Sequence, residues 1–450
     1  MIISRSPVKA IFAIQRAELS LALLMGSYFF LVITSFWILK PLKKSLFIGF
    51  YDQSGFTLLS WTMSAAQAEL LAKVLNMAVA IVAVVAFTWL ARWFRRQQLT
   101  FIFSAFFLLS FIAYSFIVNH PDELTVWSFY LFGDLYATLM VTTFFAFLND
   151  SVTADAAKRL YGLVGFGGVS GGVFGATTVR GFIATVTLAD WLWICVGLGL
   201  LIVLVAYISG RVVAARPAPA ERGNAPQFVP RAPAGEPAHN PALAGAQLVG
   251  ASPYLLAIVA IVGLYEIVST VLDFQFTSTI AHYLDGPAIG KQFSTVFAIT
   301  NTVAMGVQLF LTSFIMTRFG VGVALFVLPA AILVGSGGFL AVPLLWIGSL
   351  LNTVDNGFSY SINQSAKEAL YVPTSPQEKY LAKAFIDMFV QRLAKAIAVV
   401  LSLGITALFD HFASLRWLSV FTVLATCVWL VAARYAGRHF RALAETTPSP

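Results

Sequence analysis

Apolar residues run along this chain in long blocks, each about 20 residues and each closed by a short polar turn, the length a helix needs to cross a hydrocarbon core of about 30 Å. No block alternates polar and apolar residues with a period of two, which excludes the strands of a membrane barrel. The blocks predict membrane helices at approximately 18 to 40, 68 to 91, 98 to 118, 125 to 148, 161 to 186 and 189 to 209. A second set follows at approximately 253 to 276, 289 to 317, 320 to 341, 343 to 365, 379 to 408 and 415 to 436. Between the sets, residues 211 to 251 are rich in Pro, Ala and Gly, carry Arg211, Arg216, Arg222 and Arg231, and lack a helical apolar period, which reads as a mobile polar linker. The expected organisation is an N-terminal six-helix half over 1–210, a cytoplasmic linker over 211–251 and a C-terminal six-helix half over 252–450. The fold class is all-α, a membrane protein of about twelve transmembrane helices. Ahead of the first block, Val8 to Arg16 is short, basic and partly amphipathic, as suits a helix lying in the membrane surface. The first block ends at Lys40-Pro41 without a small-residue cleavage pattern, so it reads as a retained helix rather than a signal peptide.

Composition agrees with a lipid solvent: 59% of the 450 residues are apolar and 11% charged, and the mean hydropathy is +0.84, far from a soluble globular mix. Charge sets the orientation. With the N-terminus inside, roughly 19 of the 28 Lys and Arg fall in cytoplasmic segments. Arg92, Arg95 and Arg96, Lys158 and Arg159, the linker arginines, Arg318, Lys379 and Lys383, and Arg434, Arg438 and Arg441 share one side, which predicts that both termini are cytoplasmic. Cys195 and Cys427 fall in helices of opposite halves and indicate neither a disulfide framework nor a thiolate metal site. The halves also echo each other. Thr153 to Arg159 follows the fourth span and Thr374 to Tyr380 follows the tenth, each a polar turn with an acid and a base. This favours the parallel two-half plan of major-facilitator transporters, with a site between the halves near the membrane midplane.

An ionisable side chain deep in a bilayer costs about 2.5 to 3.5 kcal/mol on insertion scales, so each one is expected to face protein or a wet cavity. Glu69 and Lys73 lie four apart and are expected to neutralise one another on one helix face. Asp134, Arg180, Glu266, Asp273, Asp355 and Asp387 lie within spans, and Asp150 ends one. Lys40, at the end of the first block, either reaches a site or snorkels to the outer headgroups. Arg392 and Lys395 lie three apart on one face of the eleventh span and require anions nearby, either carboxylates or a ligand. The carboxylates considered for Lys395 are Asp273 and Asp387. The tenth span carries Asn352, Asp355, Asn356, Ser359, Asn363 and Gln364 in one stretch, a stripe that must line water or substrate.

The glycines between Gly162 and Gly175 have neither a preceding strand nor a following Gly-Lys-Ser/Thr, so they read as a close-packing face that lets the fifth helix slide or rock against a neighbour rather than as a nucleotide loop. A membrane enzyme is the rival class. His120, His239, His282, His411 and His439 are scattered through loops and span ends, so no His-centred site is suggested, although a carboxylate-only site stays open.

Four segments resemble the bacterial and plastid-type ATP/ADP translocases, a nucleotide transporter family distantly related to the major-facilitator superfamily. They are ILKPLKKSLF from Ile38 to Phe47, FLNDSVTADAAKRLYGLVGFGG from Phe147 to Gly168, VLDFQF from Val271 to Phe276, and YSINQSAKEALYVPTSPQEKYLAKAFIDMFVQRLAKA from Tyr360 to Ala396. The resemblance implies exchange of adenine nucleotides, with charged residues at Lys40, Asp150, Asp273 and Lys395 important to transport. The bases would meet phosphate oxygens, and the acids would pair with them when the site is empty. Arg392, Asp355 and Asn363 complete the expected substrate site. The chain departs from the family pattern at Lys44, where an Asp is usual, at Asp150 in place of Glu, at Gly162 in place of Pro, and at Asn363-Gln364 in place of a Phe-Asp pair. Transport of another anionic metabolite, with or without a coupled proton, is the alternative reading. No cofactor, metal or nucleic-acid partner is implied. The chain is expected to act as a monomer in a cell inner membrane.

Overall fold

The computed structural model describes residues 16–152, 154–215, 241–375, 378–408 and 412–446. The surface helix expected over Val8 to Arg16 falls almost wholly outside these residues, as does most of the linker. Eleven helices among the described residues are long and apolar enough to cross a membrane. The N-terminal series is α1 (Arg16–Tyr51), α2 (Ala65–Trp93), α3 (Arg96–Ile117), α4 (Glu123–Ser151), α5 (Ala154–Phe182) and α6 (Leu188–Ala214). A two-stranded antiparallel hairpin, β1 (Phe56–Leu58) and β2 (Trp61–Met63), joins α1 to α2 with Thr57 opposite Thr62.

The second series opens with α7 (Pro241–Ala251) and α8 (Pro253–Tyr283). Next come α9 (Pro287–Gly306), a π turn (Val307–Leu311) and α10 (Thr312–Arg318), then α11 (Gly320–Ala341). α12 (Leu345–Phe358) passes through a π turn (Ser359–Asn363) into α13 (Gln364–Leu370). α14 (Lys383–Phe385) and the π turn Ile386–Val390 lead into α15 (Gln391–Leu408), and α16 (Leu415–Thr446) is the last helix.

Two sequence expectations change. The first helix does not stop at Lys40: it continues through Pro41 to Tyr51. Proline removes one backbone donor, but a membrane helix tolerates it where neighbouring elements pack around the freed carbonyl, and the following residues Leu42, Phe47, Ile48 and Tyr51 are buried. The stretch assigned wholly to the linker contains the helix Pro241–Ala251. Its proline occupies the first helical position, where the missing N–H costs nothing, and small apolar residues follow.

The described residues form two compact units. One joins residues 16–215 with 276–305, so the C-terminal end of α8 and α9 belong with α1 to α6; the other comprises 241–275 and 306–446. In the first unit a phenylalanine-rich core holds α3 against α4, with Phe107 and Tyr136 edge to face at 4.9 Å between centroids and Phe111 and Phe132 at 5.3 Å. α1 and α5 meet backbone to backbone. Gly167, Gly171 and Gly175 recur every four residues and face Gly26, Phe30 and Thr34 of α1. A Cβ on Gly171 would collide with the Phe30 carbonyl oxygen, and one on Gly175 would stand 2.6 Å from that of Thr34. Thr34 Oγ1 donates to the Gly171 carbonyl at 3.3 Å.

This close approach needs residues without side chains, as helix pairs in lipid commonly do. Gly171→Val should therefore force the two helices apart at a cost of about 1–3 kcal/mol, read as a lower unfolding midpoint of the detergent-solubilised protein. At Gly165 an added Cβ meets nothing within 4 Å, so Gly165→Ala should be neutral or slightly stabilising. Equal midpoints for the two variants would contradict the packing argument.

Candidate functional site

In the first unit the charges of α1 are drawn inward by acids from α2 and α4. Lys43 and Lys44 are both buried. Lys43 is ion-paired with Asp134 of α4, which also accepts from the Asn76 side chain of α2, and its ammonium lies 4.2 Å from the Tyr130 ring centroid. Lys44 pairs with Glu69 of α2 at 3.0 Å and donates to Thr277 Oγ1 at 3.2 Å. Glu69 is wholly buried. It also accepts from the Tyr130 hydroxyl at 2.8 Å and faces Lys73 at 3.6 Å. The expected Glu69–Lys73 contact is thus present, within a larger network of three ammonium groups and two carboxylates. Burial of such a set is tolerable only because each carboxylate is shared by partners on several helices.

Lys40 lies one turn before this network. Its ammonium is 4.4 Å from the Trp37 ring centroid and 4.8 Å from that of Phe297, a cation–π arrangement. Asp150 is exposed at the C-terminal end of α4. It lies sixteen residues beyond Asp134, about 24 Å along a helix, and is not drawn into the lysine network. Beyond the end of α1, Asp52 shares a hydrogen bond with Asp285, and burial followed by the Asp285 charge holds its carboxyl above the usual range.

The second unit gathers the remaining candidates around α8, α12 and α15. Lys395 pairs with Glu266 at 3.4 Å; its partner is neither of the two aspartates expected from the sequence. Arg392 is half-buried one turn earlier on α15. Asp273 accepts from Asn352 Nδ2 at 3.2 Å. Asp355 is fully buried and accepts from Ser269 Oγ at 2.6 Å. Asn363 sits in the π turn, 1% exposed, with neither side-chain polar atom hydrogen-bonded. Lys367, absent from the sequence-based site, is nearly buried with its ammonium 4.7 Å from the Tyr265 ring centroid. A π turn widens a helix locally and marks many functional sites; here it interrupts the most polar span.

The first cluster holds three ammonium groups on two carboxylates and the second holds Lys395 on Glu266, contacts that a multiply charged anion could replace at little change in the number of ion pairs. Among the described residues no group of three or more His, Cys, Asp or Glu could hold a metal ion.

Comparison with known proteins narrows the reading. The family model described as TLC ATP/ADP transporter matches residues 122–345 and 340–440, more than half of the chain. The chain is 23% identical to the chloroplastic ADP,ATP carrier protein 1 of Arabidopsis thaliana over 96% of its own length and 76% of the relative's. It is also 23% identical to ADP,ATP carrier protein 2 of Chlamydia pneumoniae, over 42% of this chain and 39% of that protein. Among solved structures, the nucleoside transporter NupG superposes with a TM-score of 0.62 at 11% identity, covering 96% of this chain and 100% of the other. A bacterial homolog of the human lysosomal transporter Spinster gives 0.58 at 14% identity, over 97% and 100%. At such identities these structures speak for the fold alone, which is that of the major-facilitator transporters. The chain is a multi-pass membrane protein.

Proposed function

Because the chain belongs to the TLC ATP/ADP transporter family, we propose that it exchanges adenine nucleotides of the ATP/ADP type across a membrane by alternating access. The observation that carries this reading is the run of basic residues on one membrane helix: Lys40, Lys43 and Lys44 stand within about one turn of α1, opposite Glu69 and Asp134. A nucleotide brings several phosphate charges into a poorly hydrated interior and needs fixed positive charge to do so. Lys40 meets phosphate oxygens on this reading, as do Lys395 and Arg392. Asp273 and Glu266 hold the bases while the site is empty, Asn363 supplies an amide to the nucleotide, and Asp150 acts at the helix end, outside the lysine network. The protein works as a monomer in a cell inner membrane with both termini cytoplasmic, and it carries substrate without chemical turnover.

Liposomes containing the purified protein and preloaded with ADP should take up labelled ATP much faster than empty liposomes. Equal uptake by loaded and empty liposomes would exclude exchange. A second reading, another anionic metabolite, draws on Lys44, which stands where the family usually has an acid. Uptake of a different phosphorylated or carboxylated solute, with ATP excluded, would favour it.

A further inference from the structure

An open groove of about 870 Å³ lies in the first unit between α2 and α4, beside the β1–β2 hairpin, and none of the candidate substrate residues lines it. Its ends differ in chemistry. Asp122 and Glu123, where α4 begins, stand at one end, and Leu71, Val74 and Leu75 of α2 line the other. Phe56 and Trp127 also line it, 5.1 Å between ring centroids, with Trp127 held in place by donating to the Tyr51 hydroxyl at 2.8 Å. Two contacts set the direction of the groove. Tyr130 of α4 donates to Glu69 of α2, and Asn76 further along α2 donates to Asp134 further along α4, so the two helices run the same way. The two acids precede Tyr130 by seven and eight residues, about 11 Å toward the hairpin end. Leu71 to Leu75 lie two to six residues past Glu69, about 3–9 Å the other way. The groove thus runs roughly 14–20 Å along the helices, acidic at the mouth and apolar within. Asp122 accepts from the Thr125 backbone at 2.8 Å and from its hydroxyl at 2.5 Å, contacts that hold its carboxyl below the usual range. Glu123 is exposed and makes no hydrogen bond or ion pair among the described residues. Beside the mouth, the hairpin turns Leu58 and Trp61 outward, and Leu59 at its tip is 97% exposed with a φ of 57°. That backbone conformation is costly for a leucine, and apolar and aromatic side chains so displayed at the end of two membrane helices suit the headgroup level of a bilayer.

We propose that this groove holds one phospholipid whose headgroup ends in an ammonium group, with the ammonium at Asp122 and Glu123 and an acyl chain along Leu71, Val74 and Leu75. The match is one of charge and of direction. The ammonium of an ethanolamine headgroup extends beyond its phosphate and meets the carboxylates, whereas an anionic headgroup would set negative charge against them. The rings of Phe56 and Trp127 favour the same sign of charge. A lipid seated here bridges α2 and α4 close to the Glu69–Tyr130 contact and steadies it. That support matters for α2, whose Ile81, Val82, Val85 and Trp89 are exposed rather than covered by protein.

Native mass spectrometry of the purified full chain tests this. The protein is offered phosphatidylethanolamine and phosphatidylglycerol with identical acyl chains at equal concentration, and the lipid retained is read from the adduct masses. Wild type should keep the ethanolamine lipid about fivefold over the glycerol lipid, the effect of about one charge at a membrane surface. Asp122→Asn combined with Glu123→Gln should bring the two lipids to parity, because the groove remains while its charge is gone. Asparagine caps a helix as well as aspartate does, so the start of α4 is kept in that variant. Leu75→Trp, which fills the apolar end, should lower retention of the ethanolamine lipid about fivefold, with the unfolding midpoint in detergent showing that the fold is intact. Equal retention of the two lipids by wild type would overturn the proposal, as would a preference that survives in the double variant or undiminished retention in Leu75→Trp. Dimers of the chain in place of lipid adducts would assign the groove to a second copy and overturn it too.

Discussion

Lys395→Ala is expected to reduce nucleotide exchange by about 10- to 100-fold, the loss of one charge-assisted contact to a polyanion, with membrane insertion unchanged. The side chain is 45% exposed on α15 and its Glu266 contact, at 3.4 Å, is loose. A pair so open to solvent contributes little to stability, which leaves the ammonium available to a ligand. Lys395→Arg retains the charge but replaces a compact ammonium with a planar fork, so partial activity is expected. Pairing and substrate contact are separated by a double variant. If Lys395 serves only to neutralise Glu266, then Lys395→Ala combined with Glu266→Gln should recover exchange, because no unpaired carboxylate remains. If it meets phosphate, the double variant should stay as slow as the single one. Wild-type exchange in Lys395→Ala alone would remove it from the site.

The largest effect on stability is expected at Glu69. This carboxylate is fully buried and serves Lys44, Lys73 and the Tyr130 hydroxyl at once. Glu69→Ala strands two ammonium groups and a phenol, and breaking a buried pair by removing one partner costs about 3–5 kcal/mol. The unfolding midpoint in detergent should drop sharply. Glu69→Gln keeps an acceptor for Tyr130 and should lose less. Adding Lys44→Met to Glu69→Ala should restore part of the loss, because one of the two stranded charges is gone and the two sites are coupled. An unchanged midpoint in Glu69→Ala would mean that water rather than protein solvates these lysines.

Eleven of the twelve expected spans, and their order, were legible because membrane-crossing imposes a length on every apolar run, and no tertiary contact is needed to see it. Lys40-Pro41 looked like the edge of the membrane because, near the end of an apolar block, a base and a proline usually mark water. What reversed that reading are Glu69 and Asp134, which lie on other helices and absorb the charge. Such partners cannot be found from spacing. The Glu69–Lys73 contact was legible because it is local to one helix face, whereas Lys44–Glu69 and Lys395–Glu266 join distant positions. Lys367 was passed over although it opens the Lys-Glu pair of the most specific family segment; only its burial against Tyr265 distinguishes it from a loop base. The stripe of polar residues from Asn352 to Asn363 was visible, but its π turn was not, since no local residue pattern demands one.

The glycine contacts between α1 and α5 govern how the basic residues of α1 can travel. Where two helices touch through side chains, a change of rotamer absorbs a small slip. Here the backbones themselves touch at Gly167, Gly171 and Gly175, so a slip at one contact is opposed at the other two. On the proposed alternating-access reading the two helices would travel together as a single spar. Lys40, Lys43 and Lys44 ride on it as a ruler of positive charge whose divisions, set by about 1.5 Å of rise per residue, stay constant while the spar moves. On the proposed nucleotide reading, a substrate is measured against that ruler by the spacing of its own negative charges.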